Sequence, residues 1–200
     1  MLKNKLLTVV VCGAFIIGGS GLAFANSDNK VVEDEVIPIS LETQFTDIEN
    51  HWAYDEIASI GAKGFWGELA NEFKPAQTIQ GADLEKYLDK VFEFENDFEF
   101  EFKNSEEVTR IEVAKAIQDS FKIKDLTIIS TLVLPVYEDT KELDDYETSA
   151  LSFVYNTGIM KGKTDELFHP HTPVTKAEIA VVLHRTLATL EHAKPIDEMN

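Results

Sequence analysis

Three stretches of this chain carry apolar residues at helical spacing behind one repeated frame. Phe73-Lys-Pro75 leads to Ile79 and Asp83, Phe102-Lys-Asn104 to Val108 and Glu112, and Phe168-His-Pro170 to Val174 and Glu178. Each copy has a Phe, then Pro or Asn two residues on, a β-branched residue at the sixth place and an acid at the tenth. The runs that follow are Leu84, Tyr87, Leu88, Val91 and Phe92, then Ile111, Ala114, Ile117 and Phe121, then Ile179, Val182, Leu183, Leu187 and Leu190. Each run places its apolar residues on one face of a helix. Repetition at fixed internal spacing predicts one supersecondary unit used three times.

The polar positions set the helix starts. Thr109-Arg-Ile-Glu112 and Thr175-Lys-Ala-Glu178 both fit the capping box, in which Thr and Glu satisfy the first main-chain amides reciprocally. The first copy has Gln80 and Gly81 there, a poor cap and a poor starter, so its helix is expected to begin late or fray. The residue after the cap also differs between copies. Arg110 stands beside the positive end of a helix, where unpaired amides attract anions, and its guanidinium adds a bidentate grip for a carboxylate. Lys176 keeps the charge without the fork. Gly81 keeps neither.

The remaining pattern divides the chain. Residues 1–25 carry Lys3 and Lys5, an apolar run from Leu6 to Ile17 and a small-residue end at Ala23-Phe24-Ala25, which predicts a secretory signal peptide. Residues 26–44 are an acidic arm, and 45–93 hold the first copy, with a helix over 52–63 carrying Trp52, Ile57 and Ile60 on one face. Residues 94–121 are a shortened second copy, since Phe73 and Phe102 stand less than half as far apart as Phe102 and Phe168. Strict alternation around Asn96-Asp97 predicts a short β-hairpin near 92–102; continuation of the preceding helix is the other reading. Residues 122–136 are a β-branched, apolar connector, 137–191 the third copy and 192–200 a disordered tail.

Composition narrows the function. A formal charge of −18 disfavours nucleic acid and anionic membrane surfaces as partners. The 44 % hydrophobic content supports a folded domain. Cys12 is the single cysteine and lies inside the signal, so signal cleavage leaves no thiol chemistry. His169, His171 and His184 match no zinc spacing. The acid clusters Glu33-Asp34-Glu35, Glu138-Asp139 and Asp144-Asp145 lack the order of a calcium loop and read as solvated faces. No nucleophile triad, nucleophile elbow or phosphate loop stands in a recognisable frame. The chain reads as non-catalytic, with no cofactor and no metal.

The ordered series resembles the S-layer homology family, whose repeat runs from F-x-D and a Trp-bearing helix, through G-I-x-x-G, to F-x-P and T-R-A-E. Here Phe45-Thr-Asp47 and Trp52 open the first copy, and Gly64-Phe-Trp-Gly67 leads to Phe73. Tyr137-Glu-Asp139 opens the third, with Gly158-Ile-Met-Lys-Gly162 before Phe168. Tyr146 stands at the same interval from Gly158 as Trp52 from Gly64, which gives it the Trp place. The resemblance implies a mainly α fold of helix–loop–helix repeats in a pseudo-threefold bundle. It also implies a secreted protein at the cell wall of a Gram-positive-type bacterium, holding a pyruvylated secondary cell wall polysaccharide in grooves between repeats. On that basis Arg110 would hold the ketal carboxylate and Lys176 would be its weaker counterpart. Trp52 and Tyr146 would present flat walls to a sugar, although a core plug is the commoner fate of a helical Trp. Gly64 and Gly158 would let main chain approach the glycan. The chain departs from the family by having one Arg among three copies and a truncated second copy. The alternative is a degenerate repeat protein that has lost glycan binding and serves another envelope protein. After signal cleavage no membrane attachment is expected.

Overall fold

The computed structural model describes residues 45–67, 71–95, 100, 106–130 and 133–199. The signal, the arm and most of the predicted hairpin lie outside the described residues. The protein is mainly α-helical. Helices α1 (Tyr54–Ala62), α2 (Gly81–Phe92), α3 (Arg110–Ile123), α4 (Asp145–Asn156) and α5 (Lys176–Leu190) follow in order. Strand β1 (Leu126–Thr127) pairs antiparallel with β2 (Lys194–Pro195) in a two-residue ladder.

The repeated frame meets itself at the centre. Ile79 N donates to Val174 O at 3.0 Å, Val174 N to Val108 O at 2.8 Å, and Val108 N to Ile79 O at 3.1 Å. The three β-branched residues thus close a ring of main-chain bonds, all three being buried. A closed ring leaves none of these groups without a partner, which a buried backbone requires. From this ring α2, α3 and α5 depart as three equivalent spokes of a pseudo-threefold bundle.

The same arrangement caps the helices. Gly81 N donates to Glu106 O at 3.1 Å, Arg110 N to Thr172 O at 3.1 Å, and Lys176 N to Gln77 O at 2.8 Å. Each first helical amide is therefore taken by the loop of a neighbouring copy. That explains why α2 begins at Gly81, in register with its sister helices and not later, as its weak cap predicts. A carbonyl supplied by tertiary contact replaces the missing side-chain cap. At α3 the amide and hydroxyl of Thr109 donate to Glu112 Oε2 at 2.8 and 2.6 Å. At α5 the Thr175 amide donates to Glu178 at 3.0 Å, and the Glu178 amide returns a bond to the Thr175 hydroxyl at 3.3 Å.

The leading helices form a second layer. Helix α1 packs on α5 and α4 packs on α3, so each covers the spoke of another copy. Among the described residues no leading helix covers α2, whose outer face carries Lys86, Asp89 and Lys90 in solvent. By contrast α3 and α5 are buried on two sides, with Ile111, Val113, Ala114 and Ile117 all enclosed on α3. Among the described residues the one spoke without a leading helix on it thus presents a polar face.

Two expectations are corrected. Trp52 does not plug the core: it is 66 % exposed, while Ile57 and Ile60 are fully buried. Trp66 takes the interior place, its indole donating to Ile57 O at 2.9 Å and its ring meeting Phe73 edge-on. The tail is also ordered, because Lys194–Pro195 pairs with β1 and Ile196 N donates to Asp125 O at 2.9 Å.

Candidate functional site

The second and third copies meet around Arg110. Sequence places this residue at the first turn of α3, and the fold then sets it under the loop that leads into Phe168. Its Nε donates to Phe168 O at 2.8 Å and its Nη2 to Lys161 O at 2.6 Å. The guanidinium also lies over the Phe168 ring, 4.7 Å from its centre. The residue is 6 % exposed. Burial lowers its pKa, opposed by the nearby charge of Glu178 and by Tyr137 and Asp139. A guanidinium so placed stays charged.

This geometry corrects the picture of an open anion site at the helix start. The first two amides of α3 already donate to Thr172 O and Pro170 O. Two of the three guanidinium nitrogens are committed to carbonyls, and Nη1 donates to none of the described residues. A carboxylate could meet Arg110 only along that remaining edge. The first task of Arg110 is to tie two copies together.

Around it the loop is fixed by Tyr137 and Asp139, whose roles no local pattern announces. Tyr137 accepts a bond at its hydroxyl from Gly162 N at 2.8 Å, and its ring lies 5.8 Å from that of Phe168. The Asp139 carboxylate accepts from Phe168 N at 3.0 Å and from His169 N at 2.7 Å. Asp47 does the same for Phe73 N and Lys74 N, both at 2.7 Å. The acid of each opening frame therefore anchors the loop of its own copy, which turns through a positive φ at Lys74 and His169. The readable signal was the matched position of Asp47 and Asp139 ahead of the two loops.

The carboxylates respond in one direction. Slight burial alone would raise the Asp139 pKa, but the amides of Phe168 and His169 outweigh it and hold the group below the ordinary aspartate range. Glu178 is likewise lowered on balance: burial raises it, while the Thr175 amide, the Lys163 ammonium at 3.0 Å and Arg110 pull it down. A lowered folded pKa contributes stability above the unfolded value, about pH 4, which is lost as pH falls through the folded value. Asp139→Asn should cost about 1.5–3 kcal/mol at pH 7, the range for a bond to a charged acceptor. Urea unfolding at pH 7 and pH 3 should show the cost shrinking in acid. An equal cost at both pH values would mean that the charge is not what anchors the loop.

The other proposed residues fall in different places. Lys176 repeats the ring contact of Arg110 one copy on, its Nζ lying 4.7 Å from the centre of the Phe73 ring. Burial depresses its pKa, and Asp83 and Asp47 oppose that. Tyr146 lies against the outer side of α3, its hydroxyl donating to Asp119 and its ring flanked by Lys115 at 5.3 Å and Lys122 at 5.0 Å. Nine helical positions separate Arg110 from Asp119, about 13 Å of rise, so Tyr146 and Arg110 do not share one set of contacts. Trp52 stands beside His51, with ring centres 5.5 Å apart. Gly64 and Gly158 both end a leading helix with φ near +75° (75° and 74°), the left-handed turn that glycine adopts without strain. A Cβ at Gly158 would meet nothing within 4 Å, so the surface there is open.

Among the described residues no group of three His, Cys, Asp or Glu side chains could hold a metal ion. No described helix is long and apolar enough to cross a membrane.

Comparison with known proteins adds two findings. Residues 136–180 match the family model of the S-layer homology domain. The chain is also 20 % identical over 213 aligned positions to the surface-layer 125 kDa protein of Lysinibacillus sphaericus. That alignment covers 88 % of this chain and 18 % of the relative, so the chain corresponds to a small part of that protein.

Proposed function

On the premise that this is an S-layer homology protein, we propose that it is a non-catalytic, secreted cell-surface module that binds cell wall polysaccharide. The family match and the surface-layer relative support association with the cell wall. The finer reading is a pyruvylated glycan held at the groove between the second and third copies. The observation that carries it is the placement of Arg110. It is the single arginine at the helix-start positions of the three copies, and it sits where two copies meet, with one guanidinium edge uncommitted. The Lys176 groove is the weaker counterpart, and the groove that would use Gly81 has no cation at that position and, among the described residues, no leading helix. Tyr146 and Trp52, exposed on the outer layer, would offer flat apolar surfaces to a sugar farther along the chain of glycan. Gly158 would admit close approach of the glycan to the main chain.

Co-sedimentation with purified cell walls tests this reading, using walls intact and after mild acid removal of pyruvyl ketals. Binding is expected to intact walls only. Arg110→Ala should lower it by about tenfold or more, the loss of one charge-assisted hydrogen bond of about 1.5–3 kcal/mol. Equal binding to both wall preparations would remove the ketal from the reading, and unchanged affinity in the variant would remove Arg110.

A second reading has its own support. Arg110 already uses Nε and Nη2 inside the protein, and the chain carries a formal charge of −18, which opposes an anionic polymer. A repeat protein that keeps the fold and serves another envelope protein fits both facts. Absence of binding to either wall preparation, with the fold intact, favours it.

A further inference from the structure

The groove around Arg110 contains a carboxylate of its own. Glu178 lies in the first turn of α5, where its Oε2 accepts from the Thr175 amide at 3.0 Å. Its other oxygen, Oε1, lies 3.0 Å from the Lys163 ammonium. Lys163 follows Gly162 on the loop whose Lys161 O accepts from Arg110 Nη2 at 2.6 Å. Arg110 is thus tied to the loop that carries Lys163, and Glu178 acts on both cations. Burial lowers the Arg110 pKa, and Glu178 leads the groups that oppose it, ahead of Tyr137 and Asp139. Asp139, the other carboxylate here, is turned to the amides of Phe168 and His169.

The pairing recurs one groove on. Burial depresses the Lys176 pKa, and Asp83 leads the groups that oppose it. Asp83 and Glu178 are the tenth-place acids of their frames. Each groove cation therefore meets the helix-start acid of the next copy around the ring.

The two members of the Lys163–Glu178 pair are not held alike. Glu178 is fixed by its bond from the Thr175 amide, and its side chain is 19 % exposed. The Lys163 side chain is 33 % exposed. A partly exposed ammonium on a flexible stem changes partners at little cost.

We propose that Lys163 is a specificity-determining residue of this groove, the second cation for a ligand carboxylate, and that Glu178 is the internal competitor holding it until the ligand arrives. The inference rests on the glycan reading, since it places the ligand carboxylate at Arg110. When that carboxylate reaches the guanidinium edge, the ammonium turns to it, and Glu178 keeps the Thr175 amide. A neutral sugar gains nothing from the exchange, so the groove discriminates in favour of an acidic substituent. Glu178 then sets the affinity from the other side, as a fixed negative charge that every anionic ligand must meet.

The test titrates the full chain with the dimethyl ketal of pyruvate at constant ionic strength, read by amide and Arg110 Nε–H chemical shifts. The neutral methyl ester of the same ketal is the control. Saturable shifts are expected at Arg110, Lys163 and the 161–168 loop with the carboxylate only. Lys163→Gln should weaken binding by about threefold, the scale of a partly exposed charge pair, and Lys163→Arg should keep it near wild type. Glu178→Gln should tighten binding by about the same factor. Gln serves in the third place of a capping box as Glu does, so this variant removes the charge and keeps the helix start. A purely structural pair gives no such opposition of sign: loss of either partner then weakens binding or leaves it unchanged. Equal binding by Lys163→Gln, or weaker or unchanged binding by a folded Glu178→Gln, would overturn the proposal. So would equal shifts with the ester, or no saturable shift up to about 0.1 M carboxylate, the weak end for one or two charge-assisted bonds. Should Glu178→Gln unfold, the contrast between Lys163→Gln and Lys163→Arg decides alone. Cell walls separate this inference from its parent reading. A protein that takes the small carboxylate in this way but ignores both wall preparations fails the glycan reading and keeps the two-cation carboxylate site.

Discussion

Arg110→Ala is expected to destabilise the protein by about 3 kcal/mol, apart from any effect on a ligand. The side chain gives two charge-assisted bonds, to Phe168 O and Lys161 O, each in a class that contributes about 1.5–3 kcal/mol. Its stacking on Phe168 adds about 0.5–2 kcal/mol. The full sum is not recovered, because removing a buried charge also relieves its desolvation. Losing one partner of a buried arrangement is nevertheless the costly change, since both carbonyls stay behind without their donor. Arg110→Lys should fall between wild type and alanine: it keeps the charge and loses the fork. Urea unfolding of the three proteins decides this. A cost below about 1 kcal/mol for alanine would show that the guanidinium is not a structural tie. Weakened wall binding by a stable Arg110→Ala protein would then report the ligand alone.

Gly162→Ala should cost about as much, by a different route. A Cβ at that position would lie 2.4 Å from Thr164 O, 2.5 Å from Tyr137 Cε1 and 2.8 Å from Leu167 O. Two of these neighbours are main chain and cannot swing aside, so the upper end of the overpacking range applies, about 3 kcal/mol. The movement would also disturb the loop that carries Lys161 O, the acceptor for Arg110. Gly158→Ala is the control. It meets nothing within 4 Å but has a φ of +74°, so it should cost only about 1–2 kcal/mol for the left-handed backbone. Comparing the two midpoints in urea separates crowding from backbone conformation. Equal effects would mean that the 161–167 loop shifts readily and that Gly162 does not set its path.

Much of the architecture was readable along the chain because it rests on local chemistry. The apolar spacing behind each Phe frame gave α2, α3 and α5, since a helix must place its buried side chains at that period. The Thr-x-x-Glu boxes located two helix starts, for the groups that satisfy the first amides lie within four residues of one another. The Asp144-Asp145 pair obeys the same logic. It reads as a solvated acid cluster, yet Asp144 accepts from Glu147 N at 2.8 Å and caps α4. The capping box of Asp144 with Glu147 was there to be seen in the spacing.

The sequence alone determined that a helical unit recurs three times, that the second copy is short, and that one copy carries an arginine where another has lysine and the third glycine. Tertiary structure decided what those residues do. The start of α2 depends on a carbonyl from Glu106, and the fate of Arg110 on carbonyls of Lys161 and Phe168, more than 50 residues away along the chain. Whether Trp52 or Trp66 fills the interior depends on which ring can place its indole N–H on a buried carbonyl. The tail is held because β1 presents it an edge. Local pattern fixes which groups need partners and which faces must be covered; only the folded chain brings the particular partner within bonding distance.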